Sequence, residues 1–232
     1  MQTLLPIRQK IATWISHRLV PESFSIISDD CWGGQIYRQL HIRYLTPTVG
    51  LMIRSPDYLN YIENLESMHP DELIFIKSKK NYPVAKLASV RIDFMHYASE
   101  AEALKKYSDR HARIDRTKIF YKIDFGKKSY TRSDIDRWNR LQLKNSVAFY
   151  PPSLEIPKEG IHNGVLVNDW KLDGEAMFDI TRKYFDIFAW LRHGRIECGI
   201  IYRVLNALFF DPIAPERMGE KWRQASGRTR VE

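Results

Sequence analysis

Residues 24–34 read Phe24-Ser-Ile-Ile-Ser-Asp-Asp-Cys-Trp-Gly-Gly34, and this stretch decides the fold that we expect. β-Prone side chains precede a short polar segment, which predicts a strand over residues 24–28. The two glycines then open a helical run, 35–40, so the pattern indicates a strand, a tight loop and a helix N-terminus. Ligand sites in α/β folds usually lie at such junctions.

Strand and helix patterns alternate from residue 24 to residue 150. A short amphipathic helix is predicted over 7–19, extended or strand segments over 44–54, 73–76, 90–97, 119–125 and 146–150, and helix starts at Ser55-Pro56, Ser99 and Thr131. This alternation favours an α/β domain over residues 1–173, with three layers, a mostly parallel central sheet and helices on both faces.

Residues 174–232 are predicted to form a helical appendage and a tail, packed on the α/β domain. Two aromatic-rich helical runs, 174–192 and 196–210, precede a tail over 211–232 that contains proline and glycine. Arginines and lysines interleave with the aromatic residues. The pattern therefore leaves two interpretations open, which are core packing or a homodimer seam, and contact with a membrane surface.

Composition limits the classes of function. With 44% apolar and 28% charged residues, the chain has the balance of a soluble globular protein. It has two cysteines, too few for a disulfide framework, and neither a signal-peptide pattern nor an apolar run of membrane-spanning length. We expect a cytoplasmic protein. The net charge of +8 favours anionic partners, but no nucleic-acid-binding pattern is present.

The loop after the first predicted strand is the densest chemical cluster. Asp29 and Asp30 could hold Mg²⁺ or Mn²⁺ against a diphosphate. Gly33 and Gly34 would let the backbone approach the ligand closely, and Trp32 would stack on a sugar or base. This set of residues predicts a sugar-nucleotide site.

Two alternatives stay open for the same loop. In the first, Cys31 is a nucleophile, favoured as a thiolate by the helix N-terminus and served by His96 as base. The neighbouring carboxylates disfavour that thiolate. In the second, the loop is a structural turn, with Asp30 as helix cap and with positive φ at Gly33 and Gly34.

The second candidate region begins at His96, which ends a predicted strand just before a capped helix. A histidine there can act as general base on an acceptor hydroxyl at neutral pH. Tyr97 and Glu100 lie beside it as substrate-binding candidates. Arg110 and Arg113 share one face of the following helix, where they could clamp a phosphate or simply stabilise the helix C-terminus.

Six motifs occur in the order Ser28-Asp-Asp-Cys-Trp-Gly-Gly-Gln-Ile-Tyr, Ser55-Pro-Asp-Tyr, Tyr82-Pro-Val, His96-Tyr-Ala-Ser-Glu-Ala-Glu-Ala, Arg110-His-Ala-Arg-Ile and Lys144-Asn-Ser-Val-Ala-Phe. In this order they resemble a bacterial family of uncharacterised proteins that are often labelled exopolysaccharide biosynthesis proteins. The resemblance covers roughly residues 22–193. The chain departs from the family where Asp29-Asp30 replaces one or two asparagines, and where residues 194–232 extend beyond the usual end.

The resemblance implies an α/β domain and a role in making capsule, exopolysaccharide or lipopolysaccharide. Together with the residues above it predicts a transferase that takes a sugar nucleotide or lipid-linked saccharide, at or near the inner face of the cytoplasmic membrane. In this hypothesis His96 is the base, Asp29 and Asp30 bind the donor or a metal, and Arg110 and Arg113 clamp phosphate. A Cys31–His96 acyl transferase or hydrolase and a non-catalytic partner of the polysaccharide machinery are the alternatives.

Overall fold

The structure, a computed structural model, describes residues 14, 18, 20–172, 174–196 and 199–201. Its strands are β1 (Ser25–Ser28), β2 (Leu73–Phe75), β3 (Val84–Leu87), β4 (Val90–Asp93), β5 (Ile119–Asp124), β6 (Ser146–Tyr150) and β7 (Gly164–Leu166). Its α-helices are α1 (Trp32–Gln39), α2 (Asp57–Glu63), α3 (Glu100–His111), α4 (Arg132–Leu141), α5 (Gly174–Thr181) and α6 (Ile187–His193).

Four strands form a parallel sheet in the order β1-β5-β6-β7. Ser25 pairs with Ile119 at the start of the β1–β5 ladder, and Tyr121 pairs with Ser146 between β5 and β6. All four residues of β1 are buried, as expected for a parallel strand that is covered on both faces. The α/β class predicted from the alternating pattern is confirmed.

Neighbouring residues of the parallel sheet belong to two different cores. Ile27 and Ile123 face a core that includes side chains of α2, α3 and α4. Ile26 and Phe120 face a second core, built with α1, α5 and α6. Because successive strand residues point to opposite faces, this division places helices on both sides of the sheet.

The aromatic residues of α5 and α6 lie in the second core. Phe178, Trp190 and Leu191 are fully buried, as is Phe185 between the two helices. For this part of the C-terminal region, core packing is therefore the correct interpretation. The predicted helices over 7–19 and 196–210 and the tail over 211–232 lie mostly or wholly outside the described residues.

The three strands β2, β3 and β4 form a separate antiparallel sheet, which the alternating pattern does not predict. Leu73 pairs with Leu87, and Leu87 pairs with Val90 across the next turn. The predicted strand over 90–97 ends at Asp93, three residues before His96. That histidine therefore follows an antiparallel strand, and the argument that placed it at the edge of a parallel sheet does not apply.

The extended segment 44–54 is not a strand, and that prediction is wrong. Within it only Met52 forms a bridge, to Asp93. The segment instead packs on β1 through threonine side chains, since the Thr48 hydroxyl donates to Ile26 O at 3.3 Å and accepts from Ser28 N at 3.1 Å. A ladder of backbone bonds is thus replaced by side-chain bonds.

Two of the predicted helix starts are confirmed by their caps. The Ser99 hydroxyl accepts from Glu102 N at 3.2 Å, while a Glu102 carboxylate oxygen accepts from Ala98 N at 3.0 Å, which satisfies two amides at the start of α3. Thr131 and Asp134 form the same reciprocal box at α4. Within the described residues, no helix combines the length and the apolar character needed to cross a bilayer.

Candidate functional site

The loop that follows β1 meets the carboxyl end of β5, where five charged residues are buried together. Asp29 and Asp30 come directly after β1, Lys122 and Asp124 end β5, and Lys127 lies in the turn that follows. We call these five residues the ionic cluster. The most exposed of them, Lys127, is 6% exposed. Because adjacent parallel strands end at the same sheet edge, β1 and β5 bring opposite charges into contact.

Lys122 and Lys127 both form ion pairs with Asp29 and Asp30. Lys122 Nζ lies 2.9 Å from Asp29 Oδ1 and 2.9 Å from each Asp30 oxygen. Lys127 Nζ lies 2.8 Å from Asp30 Oδ2 and also donates to Asp29 Oδ2. Asp29 Oδ2 accepts a further bond from the Tyr130 hydroxyl at 3.3 Å. The anionic loop expected from the sequence is therefore neutralised inside the protein.

The electrostatics of the cluster follow from these contacts. Burial alone would raise the pKa of Asp30, but the charges and hydrogen bonds of Lys122 and Lys127 outweigh it and hold that pKa well below its usual range. Burial likewise opposes the charged form of Lys127, yet Asp29 and Asp30 raise its pKa above the usual value. Both groups stay charged across the physiological range.

Two helix N-termini also meet at Asp30. Its Oδ1 accepts from Trp32 N, in the first turn of α1, at 2.9 Å. Gly174 begins α5, and a Cβ there would lie 2.9 Å from Asp30 Cγ. The positive ends of both helices thus face this carboxylate, which adds to the stabilisation from the lysines.

Asp124 is the member of the cluster that lacks a full set of partners. Its Oδ1 accepts from Gly126 N at 2.9 Å and from the Trp170 indole N–H at 2.7 Å. Its Oδ2 is buried without a hydrogen-bond partner among the described residues. Burial raises the pKa of Asp124 to about 6, although Lys122 and Lys127 act in the opposite direction. Three carboxylates face two ammonium groups, so a proton on Asp124 makes the cluster neutral.

The aspartate pair does not fit Mg²⁺ or Mn²⁺ as it stands. Hard divalent cations need several free oxygen ligands, and both carboxylates of the pair already accept from lysines. Across the described parts of the chain, no three His, Cys, Asp or Glu side chains are grouped so that they could hold a metal ion. A metal at Asp29 and Asp30 would have to displace both ammonium groups.

Trp32 and the two glycines serve the packing of α1. The Trp32 indole is fully buried and donates to Thr181 Oγ1 at 2.9 Å, so its ring is not presented to a ligand. The glycines lie inside the first turn of α1, and neither has positive φ. A Cβ at Gly33 would lie 2.9 Å from Ile26 Cγ2, and one at Gly34 would lie 3.3 Å from Val49 Cγ1. Close approach to protein, and not positive φ, requires glycine here.

Cys31 and His96 both contact the loop 49–51. Cys31 is half-buried, and its Sγ lies 3.8 Å from Leu51 O. His96 N donates to Gly50 O at 3.0 Å, and its side chain is exposed. The structure thus anchors the two residues to neighbouring positions of one loop, at the surface above the ionic cluster.

Arg110 is attached to the same loop. Its Nη1 donates to Val49 O at 3.3 Å and to the Tyr97 hydroxyl at 2.5 Å. The guanidinium carbon lies 5.0 Å from the Tyr44 ring centre, within the range of a cation–π contact. Burial raises the pKa of Tyr97 to about 12, with Arg110 acting against it, so Tyr97 stays a neutral phenol.

Arg113 reaches the same tyrosine from the next turn of the chain. Its Nη1 donates to Tyr44 O at 3.3 Å, and its Nε donates to Asp109 O. Burial, together with the charges of Arg43 and Arg110, lowers the pKa of Arg113. Arg110 and Arg113 thus both contact Tyr44, and the charge of the neighbouring Arg43 acts on Arg113. We call Arg43, Arg110 and Arg113 the arginine patch.

The sequence-predicted residues thus fall into three groups. Asp29, Asp30, Trp32, Gly33 and Gly34 are buried in the interior. Cys31, His96, Tyr97 and Arg110 contact the loop 49–51, and Arg113 lies beside them at Tyr44. Glu100 is exposed and lines a separate cavity beside the start of α3.

Sequence reasoning missed three of the five residues of the ionic cluster and two aromatic residues that contact it. Lys122 and Asp124 sit within the apolar run that was interpreted only as a strand, and Lys127, Tyr130 and Trp170 were not singled out. The sequence contains a signal for Lys122, since this residue lies in an apolar predicted strand and a buried lysine needs an anionic partner. Pairing it with residue 29, which is 93 positions away, requires the strand order.

Comparison with known proteins places this fold in a family. The domain of unknown function DUF1919 matches residues 5–192. An uncharacterized protein of Haemophilus influenzae is 33% identical over 188 residues, which cover 77% of this chain and 89% of that protein. The matched range includes the ionic cluster, the arginine patch and both cores. The chain belongs to the DUF1919 family.

Proposed function

We propose that the chain is a transferase of bacterial surface-polysaccharide biosynthesis, which takes a sugar from an activated, phosphate-bearing donor. The polysaccharide context comes from the sequence resemblance, and the donor chemistry comes from the surface beside the loop 49–51. The proposal keeps a cytoplasmic site of action, with peripheral contact at the inner face of the membrane for a lipid-linked saccharide.

The arginine patch carries the proposal. One nitrogen of Arg110 is fixed by Val49 O and by the Tyr97 hydroxyl, and its remaining N–H groups have no partner among the described residues. A guanidinium held along one edge presents a planar fork that matches two phosphate oxygens. Arg113 is anchored to Tyr44 O, so a second guanidinium is held beside the first.

The charge around the patch suits a diphosphate. The charges of Arg43 and Arg110 lower the pKa of Arg113, and Asp109 is the acidic group that opposes their effect. Like charges held close together are costly, and a phosphate group that binds between them relieves the repulsion. The donor phosphates would therefore be recognised at the arginine patch.

His96 keeps the role of general base on the acceptor hydroxyl in this proposal. Its backbone is fixed to Gly50 O and its ring is exposed, next to Tyr97, which contacts Arg110. Asp29 and Asp30 have an indirect role, since they are buried and pair with Lys122 and Lys127 at the end of β5. The donor ligands are then the arginines, and no step needs a metal at the aspartates.

The test is calorimetric titration with a panel of nucleoside-diphosphate sugars. We expect one class of donor to bind, and Arg110→Ala to weaken it by at least about tenfold, which corresponds to about 1.4 kcal/mol. Arg110→Lys should restore little, because lysine lacks the fork. Arg116→Ala is the matched control, since Arg116 is an exposed arginine nearby that pairs with Glu66. Absence of binding by every donor, or equal loss in both alanine variants, would overturn the proposal.

A Cys31–His96 acyl transferase or hydrolase is the second candidate. It is favoured by the shared anchoring of both residues to positions 50 and 51. Lys122 and Lys127 also neutralise Asp29 and Asp30, whose charges would otherwise disfavour a thiolate at Cys31. Incubation with activated acyl donors should then give a covalent adduct, detected by intact mass, that is lost in Cys31→Ser and kept in Cys198→Ser. A chain that forms no adduct and binds no donor would instead support a non-catalytic partner.

A further inference from the structure

A second candidate ligand site lies beside the start of α3, and its lining is separate from the arginine patch. The turn after β2 and the start of α3 enclose an open cavity of about 570 Å³, within the range of small-molecule sites. Its polar lining consists mainly of Lys77, Ser78, Lys80, Asn81, Tyr82 and Glu100. None of these residues belongs to the ionic cluster or to the arginine patch.

Opposite charges line this cavity without pairing. Among the described residues, Lys77, Lys80 and Glu100 make no ion pair with one another, and the Glu100 side chain accepts no hydrogen bond there. The attraction between these opposite charges is therefore not satisfied across the cavity. A ligand with its own donors and acceptors can satisfy both signs at once.

The lining chemistry distinguishes between classes of ligand. A bare phosphate could pair with the lysines, but it offers no hydrogen-bond donor to Glu100 at the start of α3. Sugar hydroxyls both donate and accept, so they suit Glu100 together with the Asn81 amide. The half-buried ring of Tyr82 offers an apolar face with a polar tip. The two lysines suit a carboxylate substituent.

We infer that this cavity binds an acidic saccharide, as the acceptor subsite of the transferase. The inference rests on the proposed function. Continuity of the chain supports it, because Tyr97 contacts Arg110 of the arginine patch while Ala98 and Ser99 line the cavity. His96 precedes this segment. The base, the donor-site contact and the acceptor-site lining therefore follow one another along residues 96–100.

The test measures binding of a fluorescently labelled uronate-containing tetrasaccharide, with a neutral glucose tetrasaccharide as comparison. We expect saturable binding of the acidic probe only. The double variant Lys77→Ala/Lys80→Ala should weaken it by at least about tenfold, consistent with the loss of charge-assisted bonds. Lys79→Ala is the matched control, since Lys79 lies in the same exposed turn but does not line the cavity.

Two more variants complete the design. Glu100→Gln keeps the shape of the surface and should also weaken binding, which separates recognition from simple charge attraction. Arg110→Ala should leave saccharide binding intact while it removes donor binding, so failure of one site is distinguishable from failure of the other. Absence of saturable binding, or an equal loss in Lys79→Ala, would overturn the inference whatever the donor titration shows.

Discussion

The Trp170 indole N–H donates to Asp124 Oδ1 at 2.7 Å, and this bond joins the segment between β7 and α5 to the end of β5. The indole also lies against Gly126, where a Cβ would meet its Cε2 at 2.2 Å. Glycine at this position is what allows the indole to reach the carboxylate. A titrating group is thus covered by an aromatic side chain from a segment distant in sequence.

Asp124 predicts an unusual slope of stability with pH. Its pKa is about 6 in the fold and about 3.9 in an unfolded chain, so the folded state binds the extra proton between these values. Stability should therefore rise as pH falls from about 7 to about 4, by up to about 3 kcal/mol from this group. Asp124→Asn should flatten that slope, as measured by urea unfolding at several pH values. An unchanged slope in the variant would contradict the assignment.

Asp30 predicts the opposite behaviour in acid. Its pKa is lowered in the fold, so the stability it contributes is complete above its unfolded pKa of about 3.9 and is lost below it. Unfolding free energy should therefore drop steeply as pH falls below about 4. Asp30→Asn should be less stable at pH 7 and lose less on further acidification, measured by the same titration.

The hydrogen bond from the Trp170 indole makes the protonation of Asp124 observable by NMR. The indole ¹⁵N–¹H signal of Trp170 should shift with a midpoint near pH 6, because its acceptor changes charge there. Trp138 is the internal control, since its indole donates to the backbone oxygen of His162 at 2.9 Å and has no titrating acceptor. A Trp170 signal that still moves in Asp124→Asn would assign the titration to another group.

Lys122 should be among the most costly positions to change. Lys122→Met removes a fully buried ammonium group that serves both Asp29 and Asp30. It leaves their charges undercompensated, and such losses amount to about 3–5 kcal/mol. Lys105→Met is the control, because the exposed Lys105–Asp109 pair contributes less than about 1 kcal/mol. Equal midpoints in denaturant for the two variants would show that the cluster is not a buried ionic unit.

Gly33→Ala tests the packing reason for the first glycine. Its added methyl would lie 2.9 Å from Ile26 Cγ2 and 3.0 Å from Ser28 Cβ, which forces α1 away from β1 and should cost about 1–3 kcal/mol. Gly199→Ala serves as control, because no atom of the described residues lies within 4 Å of the added methyl there. Wild-type stability of the Gly33 variant would contradict the close approach.

The sequence was sufficient for the elements whose signals are local. The capping boxes at Ser99 and Thr131 located α3 and α4, and the β-prone runs located β1, β5 and β6. Segment 44–54 was misassigned because its apolar residues look extended, whereas Thr48 bonds to Ile26 and Ser28 of β1. No local pattern reports such a bond across 20 or more positions.

The candidate site was predicted in part for the same reason. Residues 29–34 and 96–113 carry visible chemistry, and the structure brings Cys31, His96, Tyr97 and Arg110 to the loop 49–51. Their depth was not visible, because burial of Asp30 depends on Lys122 and Lys127, and these are assigned to it only once β1 is known to lie beside β5. The strand pattern of β4 is clear in the sequence, but its place in the antiparallel sheet is not. That place determines where His96 lies in the fold.

The bond between Trp32 and Thr181 spans 149 positions, and it sets an order of events during synthesis. The nascent chain presents the Trp32 indole early, while Thr181 and the rest of α5 and α6 are made about 140 residues later or more. Until those helices emerge from the ribosome, an aromatic side chain and the apolar face of β1 stay exposed. Long-range contacts of this kind slow folding and favour association of incomplete chains. Chains interrupted before residue 174 should therefore be captured by chaperones.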